Sequence, residues 1–361
     1  MIRTLTLENY RGFEEYQLRD LGKVNLLVGP NNCGKTSVLE AVQLLVSRGD
    51  PRVLIETARR RWESPAGEDR RRTTEHPMHH HFHGHRLEPG VSLGISGSDG
   101  YGRVRLHVTE GDPDEPGDLF EIISGSGRPL ALVIQAGPDK DGTVFALTDD
   151  GSLNWRSPAM RQLAHNRPHW PPVQFVTAEL LHPRTLASAW NWVIQHGRES
   201  EVVGAMRLLQ EDLESIHFLA GEPTGIGGGS VGILLGFQPG TPRIPIGSYG
   251  DGMRRLLALS LSLVRAANGF LLIDEIDTGL HWTVMEEMWS LVVDASVKSS
   301  VQVFATTHSL DCIVGLAEFL KKRPDLADAV SVQKVERKLD RSVSFDGTDI
   351  ITATDLSIEM R

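Results

Sequence analysis

Gly29-Pro30-Asn31-Asn32-Cys33-Gly34-Lys35-Thr36 decides how this chain is read. The octet has the spacing Gly-x4-Gly-Lys-Thr. It follows a short apolar run, 24–28, that reads as a buried strand. It opens a stretch in which Val38, Leu39, Val42, Leu45 and Val46 recur at helical spacing. A glycine-rich turn between strand and helix lets backbone N–H groups curl around a phosphate, and the helix N-terminus adds a favourable dipole. In that pattern Gly29, Asn31, Asn32, Gly34 and Ser37 line or flank nucleotide phosphates. Lys35 reaches the β- and γ-phosphates, and the Thr36 hydroxyl binds Mg²⁺. Cys33 is read as a small loop residue facing away from the phosphates.

Working outward, Phe270-Leu271-Leu272-Ile273-Asp274-Glu275 is an apolar strand ending in two carboxylates. At the carboxyl edge of a parallel sheet such groups face a ligand crevice. Asp274 is expected to hold Mg²⁺, and Glu275 to orient or deprotonate an attacking water. A second apolar strand, 301–306, leads into Thr307-His308-Ser309, where His308 is placed to sense a γ-phosphate. Ser248-Tyr249-Gly250-Asp251-Gly252 precedes a helix and forms a second potential anion site, one that suits the nucleotide of another subunit.

The whole chain has 361 residues, 40% of them hydrophobic and 23% charged, which excludes a mostly disordered protein. A net charge of −10 means that any nucleic-acid contact comes from a local basic patch. Cys33 and Cys312 are the only cysteines, so a disulfide scaffold and a four-cysteine zinc site are excluded. No signal-peptide pattern opens the chain and no apolar run is long enough to cross a bilayer, so a cytoplasmic protein without a membrane partner is expected. Strand and helix alternate in the last third, as in a doubly covered parallel sheet. Between 91 and 148 several short strand-like runs, one of them at 119–123, imply an antiparallel β region. Residues 184–218 read as mainly helical, and 225–230 as a glycine-rich turn.

These elements, in this order, resemble the ABC-class ATPases of the SMC/RecF type, and most of all a stand-alone branch related to the overcoming-lysogenization-defect (OLD) proteins. Leu7-Glu8-Asn9-Tyr10-Arg11-Gly12-Phe13 matches the opening strand and 29–36 the Walker A loop. Residues 248–252 match the signature loop, 271–275 the Walker B strand, Asp277 the D-loop and 307–309 the H-loop. The resemblance implies one α/β ABC-ATPase head spanning 1–361: a P-loop half (1–50), an inserted β-rich lobe (about 51–180), a small helical lobe (about 181–247) and a half with the signature, Walker B and H-loop (248–361).

It further implies two subunits paired head to tail as a homodimer around Mg²⁺ and ATP. Ser248, Gly250, Gly252 and Asp277 of one subunit would meet the nucleotide held by Lys35 of the other. Glu275 and His308 would be catalytic, and Arg11 would help hold the nucleotide. A separate effector, a nuclease or toxin in anti-phage defence, is the implied partner. The alternatives are a RecF-like repair ATPase that binds DNA directly and a hydrolysis-idle scaffold.

The sequence departs from the family in three respects. The signature reads Ser-Tyr-Gly-Asp-Gly, unlike that of transporters. Heptads for coiled-coil arms are absent, and too few residues follow His308 for the Toprim nuclease domain of the OLD proteins. Gln135 and the segment 174–179 both qualify as the metal-contacting Q-loop. Outside these motifs, the histidines of 79–85 crowd too closely in sequence to converge on one ion and are read as structural. Arg59–Arg61 and 70–72 read equally as a nucleic-acid patch or as solvated loops. Trp190 and Trp192 read as core or partner surface.

Overall fold

Six strands form the sheet that the phosphate-loop reading requires. In the computed structural model, which describes residues 1–63, 75–111, 130–137, 142–154, 160, 170–179, 181–220, 231–237 and 240–360, their order is Val173–Val176, Phe270–Ile273, Gln302–Thr306, Val24–Val28, Val330–Lys334 and Val343–Asp346. The first five are parallel and the last is antiparallel. Continuous apolar runs suit strands covered on both faces. Leu26, Leu271 and Val303 are fully buried in one core with Trp289 of helix Met285–Lys298 and Leu316 of helix Leu310–Lys322. Leu27 pairs with Thr306 and Ile273 with Ala305, so the strands leading to Gly29, Asp274 and Thr307 end on one edge.

The chain divides into two compact units. The parallel sheet belongs to the unit made of Leu21–Asn31, Pro172–Val335 and Val343–Arg361. The other comprises Met1–Asp20, Asn32–Pro171 and Glu336–Ser342. The division passes between Asn31 and Asn32, inside the phosphate loop, and cuts across the lobes drawn from sequence.

The second unit holds a six-stranded antiparallel sheet ordered Phe13–Leu18, Leu5–Tyr10, Ser92–Gly97, Gly102–Glu110, Leu130–Ala136, Thr143–Ala146. The β-rich region is therefore completed by the N-terminal hairpin, in which Leu5 and Leu7 are buried while Thr6 and Glu8 are half-exposed. Helix Lys35–Val46 is buried along nearly its whole length. Arg48 and Gly49, left-handed at φ +51° and +76°, end it, and Asp50 and Pro51 start an unforeseen second helix, Pro51–Arg60. The Asp50 carboxylate accepts the Arg52 N–H at 2.9 Å, and proline occupies the first turn.

In the first unit, helices Pro183–Gln195 and Glu199–Met206 bear out only part of the helical reading of 184–218. Ser215–Ala220 is instead a strand, antiparallel to Val231–Gly236, which pairs in turn with Ile244–Pro245. Its period is two: Ile216 is buried in a core with Trp190, Val193, Met206 and Leu235. The small lobe is thus mixed α/β. The 119–123 run and the 225–230 turn lie outside the described residues. Among those described, no helix is long and apolar enough to cross a membrane.

Burial of two histidines sets an acid limit on stability. His76, on the Glu75–Pro77 strand, and His81 are each 1% exposed. Burial, reinforced by Arg59, lowers the His76 pKa to about 4, and burial with Arg11 drives His81 well below 6.5. Unfolding lets both take up protons, so their contribution is complete above the ordinary histidine pKa and is lost as pH falls toward the folded-state values. Thermal melts are expected to fall between pH 7 and pH 5, and His76→Gln to flatten that fall. An unchanged acid slope in the variant would remove His76 from the account.

Candidate nucleotide site

The parallel sheet's carboxyl edge brings Asp274, Glu275, Asp277 and His308 together, all within one unit. Thr306, fully buried at the end of its strand, is the pivot. Its hydroxyl donates to Asp274 Oδ1 at 2.7 Å and accepts the Glu275 N–H at 2.8 Å. Glu275 Oε2 lies 2.7 Å from His308 Nδ1, and the His308 ring is about half exposed. The next residue repeats the device: the Thr307 hydroxyl donates to Asp277 Oδ1 at 2.6 Å and accepts the Ser309 N–H at 3.0 Å. Two adjacent threonines thus hold two carboxylate-bearing turns. Glu275 has φ +53°, a left-handed conformation that costs free energy in a non-glycine residue and persists only where neighbours enforce it.

Arg255 enforces it from the other side. It is 1% exposed, on helix Gly250–Arg265. Its guanidinium donates to the carbonyls of Thr177 (2.5 Å), Asp274 (3.0 Å) and Glu275 (2.7 Å). The sequence reading passed over Arg255 and Thr306. Each carried a signal: a charge on the apolar face formed by Met253, Leu256 and Leu257, and a hydroxyl closing an otherwise apolar strand. Helix Gly250–Arg265 also begins the signature segment. Ser248 and Gly250 are exposed and Gly252 is half-buried. Gly250 has φ +78°, so its turn needs glycine. Of the two Q-loop candidates, 174–179 continues the strand beside Phe270–Ile273, whereas Gln135 lies in the other unit.

The phosphate loop has the backbone its composition demands. Gly29 and Gly34 have φ +139° and +106°, and Asn32 is left-handed at +61°. Asn31 and Asn32 are exposed and Cys33 is buried. Lys35, 7% exposed, is the first residue of its helix, with Thr36 half-buried beside it. A Cβ on Gly34 would come within 2.4 Å of the Phe13 ring. Gly34→Ala combines that overlap with a forbidden φ. It is expected to cost about 1–3 kcal/mol and to weaken nucleotide binding, read by denaturant melts and ATP titration. An alanine variant of parental stability would mean that the loop does not need this glycine.

Arg11 departs from its expected role. Its Nη atoms donate to Glu63 at 2.8 and 3.2 Å, and its Nε forms an ion pair with the buried Glu40 at 3.0 Å, without the angle of a hydrogen bond. Arg61 donates to Glu40 at 2.7 Å and to the Ser37 hydroxyl at 3.1 Å. With its cationic head engaged by two carboxylates, Arg11 braces the helix that starts at Lys35, and Ser37 is likewise tied into this bracing. Burial beside Glu40 pushes the adjacent Tyr10 phenol up to about 12.

The same network answers the Arg59–Arg61 question. Arg60 donates to Gln43 and Thr57 and Arg61 pairs with Glu40, so both guanidiniums are engaged inside the unit, and Arg59 lies 3.3 Å from His76 Nε2. Residues 70–72 lie outside the described ones. His83 Nδ1 is 2.9 Å from the Arg11 carbonyl oxygen, which gives the histidine segment a structural place. No group of three or more His, Cys, Asp or Glu among the described residues could hold a metal by itself. Trp190 is core, stacked on Phe218.

Comparison with known proteins finds two matching families and several similar proteins. Residues 1–69 match a family described as AAA ATPase domain, and 209–312 one described as AAA domain, putative AbiEii toxin, Type IV TA system. The chain is 21% identical to an ATP/GTP phosphatase of Helicobacter pylori, over 90% of this chain and 89% of that protein. It is 38% identical over 130 residues to the DNA replication and repair protein RecF of Magnetococcus marinus, covering 36% and 29% of the two chains. A 47-residue stretch is 45% identical to an uncharacterized Methanocaldococcus jannaschii protein, of which it spans 22%. A solved SMC head bound to the C-winged helix domain of ScpA aligns over 96% of this chain and 98% of that one, with 13% identity and a TM-score of 0.49. The matches to AAA ATPase domains and the similarity to RecF support an ATPase of the ABC class, SMC/RecF-like in kind.

Proposed function

We propose that this ATPase is a switch: two copies close head to tail around Mg²⁺–ATP and open when the γ-phosphate leaves. The observation that carries the reading is the Thr306 hydroxyl, which locks Asp274 and Glu275 together beside His308 at the carboxyl edge of the sheet. In this reading the backbone of Gly29, Asn31, Asn32, Cys33 and Gly34 cradles the phosphates, and Lys35 pairs with the β- and γ-oxygens. Thr36 and Asp274 each present a hard oxygen donor of the kind Mg²⁺ takes, and the ion would offset the phosphate charge that develops as the bond breaks. Glu275 takes a proton from the attacking water. His308 donates from Nδ1 to that carboxylate, which fixes the ring and keeps the Nε2 edge toward the γ-phosphate. Ser248, Gly250, Gly252 and Asp277 engage the ATP of the second copy. Losing the γ-phosphate removes the group both copies share, so hydrolysis shifts the pair toward the open state.

Within this reading the dimer controls a separate effector, a nuclease or toxin of anti-phage defence. The match of 209–312 to the family named for a toxin of a type IV system is compatible with that. The RecF similarity favours a second reading, in which DNA itself is the regulator; DNA-stimulated turnover of the purified protein would select it.

Sedimentation of the Glu275→Gln protein tests the switch. A dimer that forms with ATP and Mg²⁺ and dissociates without them is expected. The same monomer under both conditions overturns the proposal.

A further inference from the structure

Two histidines meet at a point that the nucleotide chemistry does not use. His80 Nδ1 and His85 Nδ1 stand 3.3 Å apart, their rings edge to face at 76°. The sequence crowds five histidines into 79–85, and the fold sorts them. His81 is buried, and His83 Nδ1 is held at the Arg11 carbonyl oxygen. The His79 ring lies against that of His80, with centroids 3.9 Å apart. That leaves His80 and His85 as the pair whose ring nitrogens converge.

The backbone is shaped for this encounter. Gly84 and His85 are both left-handed, at φ +72° and +56°, which turns the chain back on itself. Such a conformation costs free energy in a non-glycine residue, and one hydrogen bond between two solvent-reached rings is a small return for it. The turn is also clamped. The Arg11 N–H donates to the His81 carbonyl at 3.0 Å, the His85 N–H donates to the Phe82 carbonyl at 3.1 Å, and Phe82 bridges to Tyr10. All of these residues lie in the unit that holds the antiparallel sheet. Fixed neighbours of this kind are what a ligand site needs. Burial, with His79 beside it, lowers the His80 pKa below 6.5, so at pH 7 that ring is neutral and keeps a lone pair for a cation.

The spacing points to the ion. Two imidazole nitrogens at about 2.0–2.1 Å from a tetrahedral Zn²⁺ stand about 3.3–3.4 Å apart. Neighbouring nitrogens on a square-planar Cu(II) or Ni(II) stand closer, at about 2.8–3.0 Å. We propose that His80 and His85 form a zinc site, with two ring nitrogens from the chain and water in the remaining positions. The site is separate from the nucleotide site and does not depend on the switch reading. Bound zinc ties the two ends of the turn together where it abuts Arg11, and so stabilises the folded chain.

Zinc titration of the chelator-stripped full chain, free of any polyhistidine tag, tests this by calorimetry and thermal melts. One Zn²⁺ per chain is expected, with affinity falling about tenfold or more in His80→Ala and in His85→Asn. Asparagine tolerates left-handed backbone, so His85→Asn keeps the turn while losing the ring nitrogen. His79→Ala should bind zinc nearly as the parent does. Zinc should raise the melting temperature of the parent and of His79→Ala, and leave that of the other two unchanged. Equal losses in all three variants would mean a loose run of histidines gripping metal adventitiously, which overturns the proposal. Affinity that survives both His80→Ala and His85→Asn places the ion elsewhere and overturns it as well, as does a parent with no saturable zinc binding.

Discussion

Glu275→Gln is expected to lower kcat by about 10²–10⁴-fold while leaving ATP affinity close to that of the parent. The substitution is nearly isosteric, and what holds this residue in place is main-chain. Its N–H bonds to Thr306 and its carbonyl accepts from Arg255, neither of which involves the carboxylate. The amide oxygen can still accept from His308 Nδ1, so the local geometry survives and only the proton acceptor is lost. That separates it from His308→Ala, which removes an exposed partner of the carboxylate but keeps the base, and should cost less. Steady-state turnover together with nucleotide titration checks both. A Glu275→Gln enzyme running at the parental rate would place the base elsewhere on this edge. A large rise in KM with kcat intact would make Glu275 a binding group.

Several parts of this site are legible in the sequence because their logic is local. The phosphate loop needs glycine at φ +139° and +106°, a lysine at the helix start and a hydroxyl after it, all within eight residues. Asp274 and Glu275 follow a wholly apolar strand. Arg255 and Thr306 are functional only by way of partners many residues distant, and a single sequence carries no distances. The Ser215–Ala220 strand was hidden because its short alternating run follows two real helices, and its pairing partner lies beyond 220. Arg11 shows the converse limit. Its motif suggests a phosphate contact, but the buried Glu40 and the half-buried Glu63 capture its guanidinium, and nothing near Arg11 in sequence announces them.

Removing Arg255 is the sharpest test of how this edge is held. With three carbonyls as partners in a nearly waterless environment, Arg255→Ala leaves several acceptors unsatisfied at about 1–3 kcal/mol each. A total loss of about 3–5 kcal/mol, among the larger effects of single substitutions, is expected from denaturant melts. A protein so weakened says little about mechanism, so Arg255→Lys is the informative companion. An ammonium keeps the charge and can reach one or two of the carbonyls, but it cannot span Thr177, Asp274 and Glu275 as the planar fork does. Without its full anchor Glu275 can relax from φ +53°, and its carboxylate no longer points where Thr306 and Arg255 together aim it. Because nothing at the phosphate loop has changed, KM for ATP should hold while kcat falls at least tenfold. Full turnover in Arg255→Lys would mean that Thr306 alone fixes Glu275, and that helix Gly250–Arg265 carries its signature loop without bearing on the chemistry.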